Sequence, residues 1–362
     1  MNNNQAITFY KENFKQILSK EFILVIIASI PAAVFADYFN IPLAWFLGPM
    51  IITSILSLSG IKVIMPRLIL SSILIILGLY IGNYIDKNLF AQIHQWLWTS
   101  LIMLIYIITS VLLVSKYLEK FSSYDKKTSI FSAAPGALGP LIILAEDQKS
   151  DLSQVATSHL IRLIIIITIF PFLVNSFSNI EEVEVLETIE KDQSIIQLMI
   201  LILFSLFIIY IFNKLKVPAA LLSGTLIASG FLQILGIASY KLPPNIINFS
   251  LLILGSSVGC RFADKTFNDI IKNVLHSFVA TFILVFLGLL AALLASQVID
   301  KNFFTLLLSY CPGGIYEVAV IAIYFNLDPE FVAFHHIIRL MLILLIVPVI
   351  LRIIQKRKKK PT

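Results

Sequence analysis

The sequence predicts an all-α, polytopic membrane protein built from two homologous halves. Three observations carry this. Hydrophobic residues make up 58% of the 362 and charged residues only 13%, where a soluble domain carries about 25% charged. Apolar stretches of 18 or more residues recur along the whole chain, the length a helix needs to cross a bilayer. Lastly, Pro135, Gly136, Ala145, Asp151, Val155, His159, Arg162 and Pro171 each lie 177 residues before Pro312, Gly313, Ala322, Asp328, Val332, His336, Arg339 and Pro348. One offset shared by Pro, Gly, Asp, His and Arg marks a tandem duplication. A soluble helical protein would need polar helix faces, and 198–212 has almost none.

Taken in order, residues 1–21 are too polar for a secretory signal, and the first apolar run lacks a small-residue cleavage site. They are expected to form a cytoplasmic N-terminus. The first membrane repeat spans 22–176, with apolar segments at 22–39, 42–59, 66–85, 94–114, 130–147 and 153–176. An acidic linker follows at 177–193, with Glu181, Glu182, Glu184, Glu187, Glu190 and Asp192 against Lys191. The second repeat spans 194–353, with segments at 194–213, 217–237, 245–261, 273–297, 303–324 and 331–353. The tail 354–362 completes a basic cluster, Arg352–Lys360, of the kind that flanks cytoplasmic helix ends and meets anionic headgroups. Much of the net charge of +6 sits there, which argues against reading it as a nucleic-acid surface. The cysteines, Cys260 and Cys311, imply no disulfide framework.

Segments 130–147 and 303–324 are each interrupted by Pro-Gly. Irregular backbone at membrane depth persists only where protein buries it or where it lines a wet cavity. Each such segment either re-enters the membrane or crosses it as a broken helix. Letting both re-enter improves the positive-inside bias of Lys and Arg and moves the acidic linker outside. Each half then has five spanning helices and one Pro-Gly piece, and the halves are inverted. Pro42 and Gly48 recur as Pro218 and Gly224. The Gly-x-x-x-Gly pairs Gly78/Gly82 and Gly255/Gly259 are expected to pack helices closely.

The expected solute or ion pathway comprises Pro135, Gly136, His159, Arg162, Pro312, Gly313, Gly314, Glu317, His336 and Arg339. Glu317 sits beside the Pro-Gly-Gly break, where a carboxylate costs roughly 2.5–3.5 kcal/mol and marks a functional site. It is a candidate proton or cation carrier, or a partner for Arg339 or Arg162. Each Arg lies three residues after a His, on one helix face, and the pair with exposed N–H groups would suit an anion. The alternative is that each snorkels to the interface. His336 titrates near neutral pH, whereas His335 points to another face. Asp151 and Asp328 read as helix caps. Ser132 and Ser309 align and would hydrogen-bond backbone freed at the breaks. No phosphate loop supports ATP-driven transport. The five histidines, His94, His159, His276, His335 and His336, form no metal cluster. No catalytic residue, metal or cofactor is expected.

The core resembles the bacterial AbrB-type membrane protein family, which is defined by an internal duplication. Its pattern, Pro-Gly-Gly-x-x-Glu-Met followed by an Asp-containing turn and a helix with a basic residue and a Pro, is matched by Pro312-Gly313-Gly314-Ile315-Tyr316-Glu317-Val318, Asp328, His335, His336, Arg339 and Pro348. The first half departs, with Pro140 where the counterpart of Glu317 would fall. The likeness runs from about residue 22 to 353. It implies kinship with the cation/proton antiporter and anion transporter superfamily, whose members use inverted repeats with broken helices. Members are often labelled transcriptional regulators or ammonia monooxygenases. This chain lacks a soluble AbrB DNA-binding fold and a visible metal site.

The expected function is a secondary transporter of a small solute, an organic anion or weak acid, coupled to protons. A membrane-bound regulator that acts on gene expression through a partner or a transported signal is the alternative. A membrane oxidase is the least favoured reading, so the chain is not expected to be an enzyme. The expected location is the bacterial cytoplasmic membrane, with both termini cytoplasmic. The expected partners are the lipid bilayer, a small solute and a second copy of the chain, with no direct nucleic acid.

Overall fold

A computed structural model describes residues 13–85, 89–136, 138–177 and 194–358. The acidic linker from 178 onward and the last residues of the tail lie outside these. Helices, and no strand, occur among the described residues. In the first half they are α1 Lys20–Tyr38, α2 Ala44–Leu58, α3 Arg67–Gly82, α4 Leu89–Phe121, α5 Lys126–Ala133, α6 Leu138–Asp147 and α7 Leu152–Phe177. In the second they are α8 Ile195–Lys214, α9 Ala220–Ile234, α10 Pro244–Cys260, α11 Phe267–Ala295, α12 Phe303–Tyr310, α13 Ile315–Tyr324 and α14 Pro329–Lys358.

The duplication extends to backbone detail. The bounds of α5 and α6, and the start of α7, fall exactly 177 residues before those of α12, α13 and α14. Leu43 and Ala219, which precede α2 and α9, both take left-handed backbone, at φ 55° and 54°. Asn40 and Lys216 repeat this at 52° and 57°, and Lys149 and Asn326 at 57° and 48°. Left-handed backbone in non-glycine residues is uncommon, so its recurrence in register reflects common descent of the halves.

Among the described residues, six helices are long and apolar enough to cross a membrane: Lys20–Tyr38, His94–Phe121, Leu152–Phe177, Ile195–Lys214, Ile270–Ala295 and Pro329–Ile353. Apolar helices of 10–17 residues, α2, α3, α9, α10 and α13, accompany them. Ile195, Leu203, Phe207 and Tyr210 on α8 are exposed, an apolar face suited to lipid rather than water. The chain is an all-helical, multi-pass membrane protein.

Two compact units divide the helices, and neither is a sequence half. One holds α1–α3 and α8–α10; the other holds α4–α7 and α11–α14. Each therefore draws equally on both repeats.

In the first unit, α10 packs on α2 and α9 on α3, so equivalent helices exchange partners between the halves. Small residues permit the approach. A Cβ on Gly255 would strike the Phe46 carbonyl oxygen, and one on Gly259 would strike Thr53 Oγ1. On the equivalent pair, a Cβ on Gly78 would lie 2.8 Å from the Leu222 oxygen, and one on Gly82 would strike Ser229 Cβ. Matching hydroxyls tie the same pairs. Thr53 Oγ1 donates to the Ser256 carbonyl at 3.3 Å, and Ser229 Oγ to the Leu79 carbonyl at 3.1 Å. A core of Leu79, Leu201, Leu232 and Ala238 completes this unit.

The second unit contains both Pro-Gly breaks. A core of Val114, Leu118, Tyr124, Ala133, Ala280 and Leu284 packs α4 and α11 around α5.

Candidate functional site: two broken helices and two buried arginines

Each Pro-Gly break cuts one apolar segment into two half-helices. α5 starts under Asp125, whose carboxylate accepts from Thr128 N at 2.9 Å. α12 starts under Asn302, which accepts from Phe304 N at 2.8 Å. Both end alike. Ala134 leaves the helix at φ −62°, ψ 129°, and Cys311 at φ −61°, ψ 131°. That extended geometry is what Pro135 and Pro312 require of the residue before them. The last carbonyls of each half-helix thereby lose their partners inside the fold.

A His and an Arg from the following long helix fill the gap. His159 Nε2 lies 3.0 Å from the Phe131 carbonyl, and His336 Nε2 lies 3.0 Å from the Leu308 carbonyl. A carbonyl only accepts, so both rings carry their proton on Nε2. Arg162 Nη1 donates to the Ala134 carbonyl at 2.6 Å, and Nη2 donates to Ser132 O. Arg339 Nη1 donates to Cys311 O, and Nη2 donates to the Gly313 carbonyl at 2.5 Å. Both guanidinium groups cover the negative end of a half-helix dipole while supplying its missing donors.

Arg162 and Arg339 are 1% and 0% exposed, so neither snorkels. Each is ten residues inside its helix, counted from Leu152 and Pro329. At 1.5 Å per residue that is about 15 Å, half of a hydrocarbon core about 30 Å thick. Burial is bearable because each charge is spent on fixed carbonyl dipoles.

The breaks brace one another. Gly136 has φ +105°, and a Cβ there would stand 2.8 Å from Arg339 Nη2. A Cβ on Gly313 would stand 3.3 Å from Ile166 Cγ2 on α7. Each break thus lies against the arginine-bearing helix of the other half. Pro135, Gly136, Pro312 and Gly313 are all buried. Tyr106 on α4 is within electrostatic reach of both arginines.

α13 has Gly314 at its N-cap and Glu317, 1% exposed, in its first turn. The carboxylate folds back over Gly314, so closely that a Cβ there would strike Oε2. It lies in the field of Arg339, and an acid there suits the positive end of a helix.

Other sequence candidates fall elsewhere. His335 uses both nitrogens structurally, with Nδ1 2.9 Å from the Phe331 carbonyl and Nε2 2.7 Å from Thr99 Oγ1. Asp151 Oδ1 accepts from Gln154 N at 3.0 Å and caps α7. Asp328 does not share that role. It takes left-handed φ 40°, and its carboxylate meets Lys301 Nζ at 2.8 Å and Thr305 Oγ1 at 3.2 Å. Ser309 Oγ donates to Thr305 O at 2.8 Å, a bond within its own helix rather than to the break. Ser132 Oγ is buried without a hydrogen-bond partner among the described residues. A cavity of about 190 Å³ near the end of α6, lined in part by Phe131, Asp147, Gln148 and Arg352, approaches the last turn of α5. Tyr106 was invisible as a site residue in the sequence, because one aromatic in an apolar helix carries no pattern. Among the described residues, no group of three or more His, Cys, Asp or Glu could hold a metal.

A family model described as transition state regulatory protein AbrB matches residues 45–355, which takes in both breaks, both arginines and the exchanged helix pairs. The chain belongs to the AbrB family. Two relatives agree with this placement. "Uncharacterized protein YhjN" of Bacillus subtilis is 23% identical over 306 residues, 79% of this chain and 79% of its own length. "Putative regulator AbrB" of Escherichia coli is 24% identical over 318 residues, 87% of this chain and 91% of its own. No solved structure matches the chain significantly. Within this AbrB-family chain, the motif residues of the second half, Pro312 to Glu317 and Arg339, converge on one point in three dimensions.

Proposed function

We propose that the chain is a proton-coupled secondary transporter of a small organic anion or weak acid, with the paired breaks as its binding centre. One observation carries the reading. Two half-helix ends, each capped by a fully buried guanidinium, meet about 15 Å inside their long helices. Breaking a helix at that depth and burying an arginine to repair it is costly. A protein that needed only to span a membrane would use continuous helices. Discontinuous helices at the midplane are how secondary transporters present backbone dipoles to solutes and ions.

In this reading Glu317 carries the coupling proton, and His336 is the second carrier considered. Pro135, Gly136, Pro312, Gly313 and Gly314 hold the breaks open, while Arg162 and Arg339, with His159, fix the carbonyls around them. The partner exchange of α2, α3, α9 and α10 supports halves related by a two-fold axis, and the positive-inside bias supports their inversion. The basic residues from Arg352 onward support a cytoplasmic C-terminus in a bacterial cytoplasmic membrane. The lipid bilayer is the surrounding partner, and a second copy of the chain is compatible with the exposed face of α8.

The test is flux into proteoliposomes under an imposed pH gradient, with Glu317→Gln as the diagnostic variant. Loss of pH-driven flux with unchanged folding is expected. Equal flux in the purified variant would remove Glu317 from the coupling role. The regulator reading is favoured by one thing, the words "regulatory" and "regulator" in the family description and in the E. coli relative's name. It predicts altered gene expression in a deletion strain that a transport-dead variant rescues fully.

A further inference from the structure

The two breaks share their geometry but not their charge. At the second, Glu317 lies in the field of Arg339. At the first, the position 177 residues earlier is Pro140, which carries no charge and is exposed where Glu317 is buried. The acids of α6 itself, Glu146 and Asp147, lie eight and nine residues beyond its start at Leu138, roughly 12–14 Å away along the axis. Asp125 is at the opposite end of α5. Among the described residues, Arg339 is the charged group that bears on Arg162, and the neutral Tyr106 phenol lies within electrostatic reach.

Hydrogen-bond capacity differs at one pair of equivalent serines. Ser309 Oγ is spent on Thr305 O. Its counterpart Ser132 Oγ, 0% exposed, has no partner among the described residues. Arg162 Nε, 1% exposed, has none either, a state Arg339 Nε shares, while the rest of the Arg162 guanidinium holds the carbonyls on both sides of Ala133. The N–H groups of Leu138 and Gly139 in the first turn of α6 lie directly beyond the break at the positive end of that helix, and Pro140 supplies none. Arg339 Nη2 approaches the same place, against Gly136. The two C-terminal dipoles at the breaks are offset by the two N-terminal ones. Two guanidinium groups against one carboxylate then leave a single positive charge.

We infer that the first break is an anion site, which takes one singly charged group, a carboxylate or an inorganic monoanion, with Ser132, Arg162 and the first turn of α6 as donors. The second break is already balanced by Glu317 and takes none. This deepens the transporter reading and rests on it only for the role of the anion as cargo. A monoanion neutralises the centre, whereas a dianion would leave net negative charge buried at mid-depth. Pro140 is exposed, so the chain itself does not cover that side of α6.

The experiment measures binding to the purified full-length protein by calorimetry and thermal shift at pH 7.5, with sodium chloride, acetate, lactate and succinate as probes. Monoanions should bind at least tenfold more tightly than succinate. Pro140→Glu, which restores the missing carboxylate, should weaken monoanion binding at least tenfold, while Pro140→Gln should not. Ser132→Ala removes one unpartnered hydroxyl with little risk to folding and should weaken binding severalfold. Acetate or lactate above chloride identifies a carboxylate site; chloride alone identifies an inorganic one. No monoanion binding by the parent chain, or equal binding by Pro140→Glu and Ser132→Ala, overturns the inference. Proteoliposome flux on the same preparations separates the two ideas. Binding without flux keeps the site and sinks the transporter, whereas flux of a neutral or cationic solute without anion binding does the reverse.

Discussion

Replacing Arg339 tests the capping argument directly. Its guanidinium supplies two bonds to backbone carbonyls, those of Cys311 and Gly313. A hydrogen bond to a charged group contributes about 1.5–3 kcal/mol. Arg339→Met keeps much of the side-chain length but removes both bonds and strands two buried acceptors, so a loss of roughly 3–6 kcal/mol is expected. Arg339→Lys keeps the charge, yet one ammonium cannot reproduce a planar fork across two carbonyls. About half of the loss should remain. Arg339 also stands against Gly136 in the other break, so its removal should cost more than the same change at Arg162. The assay is unfolding of the purified variants, by heat and by denaturing detergent. The expected order is parent chain, Arg339→Lys, Arg162→Met, Arg339→Met. If Arg339→Met unfolds with the parent chain, the carbonyls find other donors and the capping account is wrong.

Three further changes test the surrounding frame. Gly255→Val should drive α10 from the Phe46 carbonyl at a cost of about 1–3 kcal/mol, read by unfolding and by protease sensitivity. Gly78→Val, its repeat equivalent, should cost a similar amount, and a silent result at both positions would remove the close-packing argument. Lys149→Gly should instead stabilise the protein. Lys149 is exposed, follows α6 and holds φ 57°, a conformation that costs a non-glycine residue about 1 kcal/mol. A lower unfolding midpoint would show that its side chain makes contacts that outweigh the strain.

Much of this arrangement could be read from the chain, since a constant offset is a property of residue order alone. Proline and glycine at 135, 136, 312 and 313 mark where helices must stop, because proline lacks a donor and restricts its predecessor. The half-helices fall on either side as expected. The apolar segments at 153–176 and 331–353 already place the arginines nine and eight residues inside, a depth that argues against snorkelling. Other features depend on information that order does not hold. The sequence shows a cation but not its acceptor, so anion, carboxylate and lipid interface all remained open as partners. The acceptors are main-chain carbonyls, which every residue has and no pattern reveals. The two compact units were equally hidden, because they follow from pairing α2 with α10 and α3 with α9 across the repeat boundary.

The asymmetry between the halves matters because the capping is so symmetrical. Two copies of one folding solution, Arg and His closing a broken helix, keep their backbone angles within a few degrees at Ala134 and Cys311. Selection for folding alone would preserve both copies equally, as it has preserved His159 with His336 and Arg162 with Arg339. At the third residue of each second half-helix the copies part, with Pro140 in one and Glu317 in the other. A proline there costs α6 little, because the first-turn N–H it removes had no partner within the helix. A buried glutamate gives α13 a charge that must be compensated. The same fold thus holds one break in balance and leaves the other with a positive charge and an unused hydroxyl. The difference between Pro140 and Glu317, rather than the shared arginines, is therefore where the functional distinction between the halves lies.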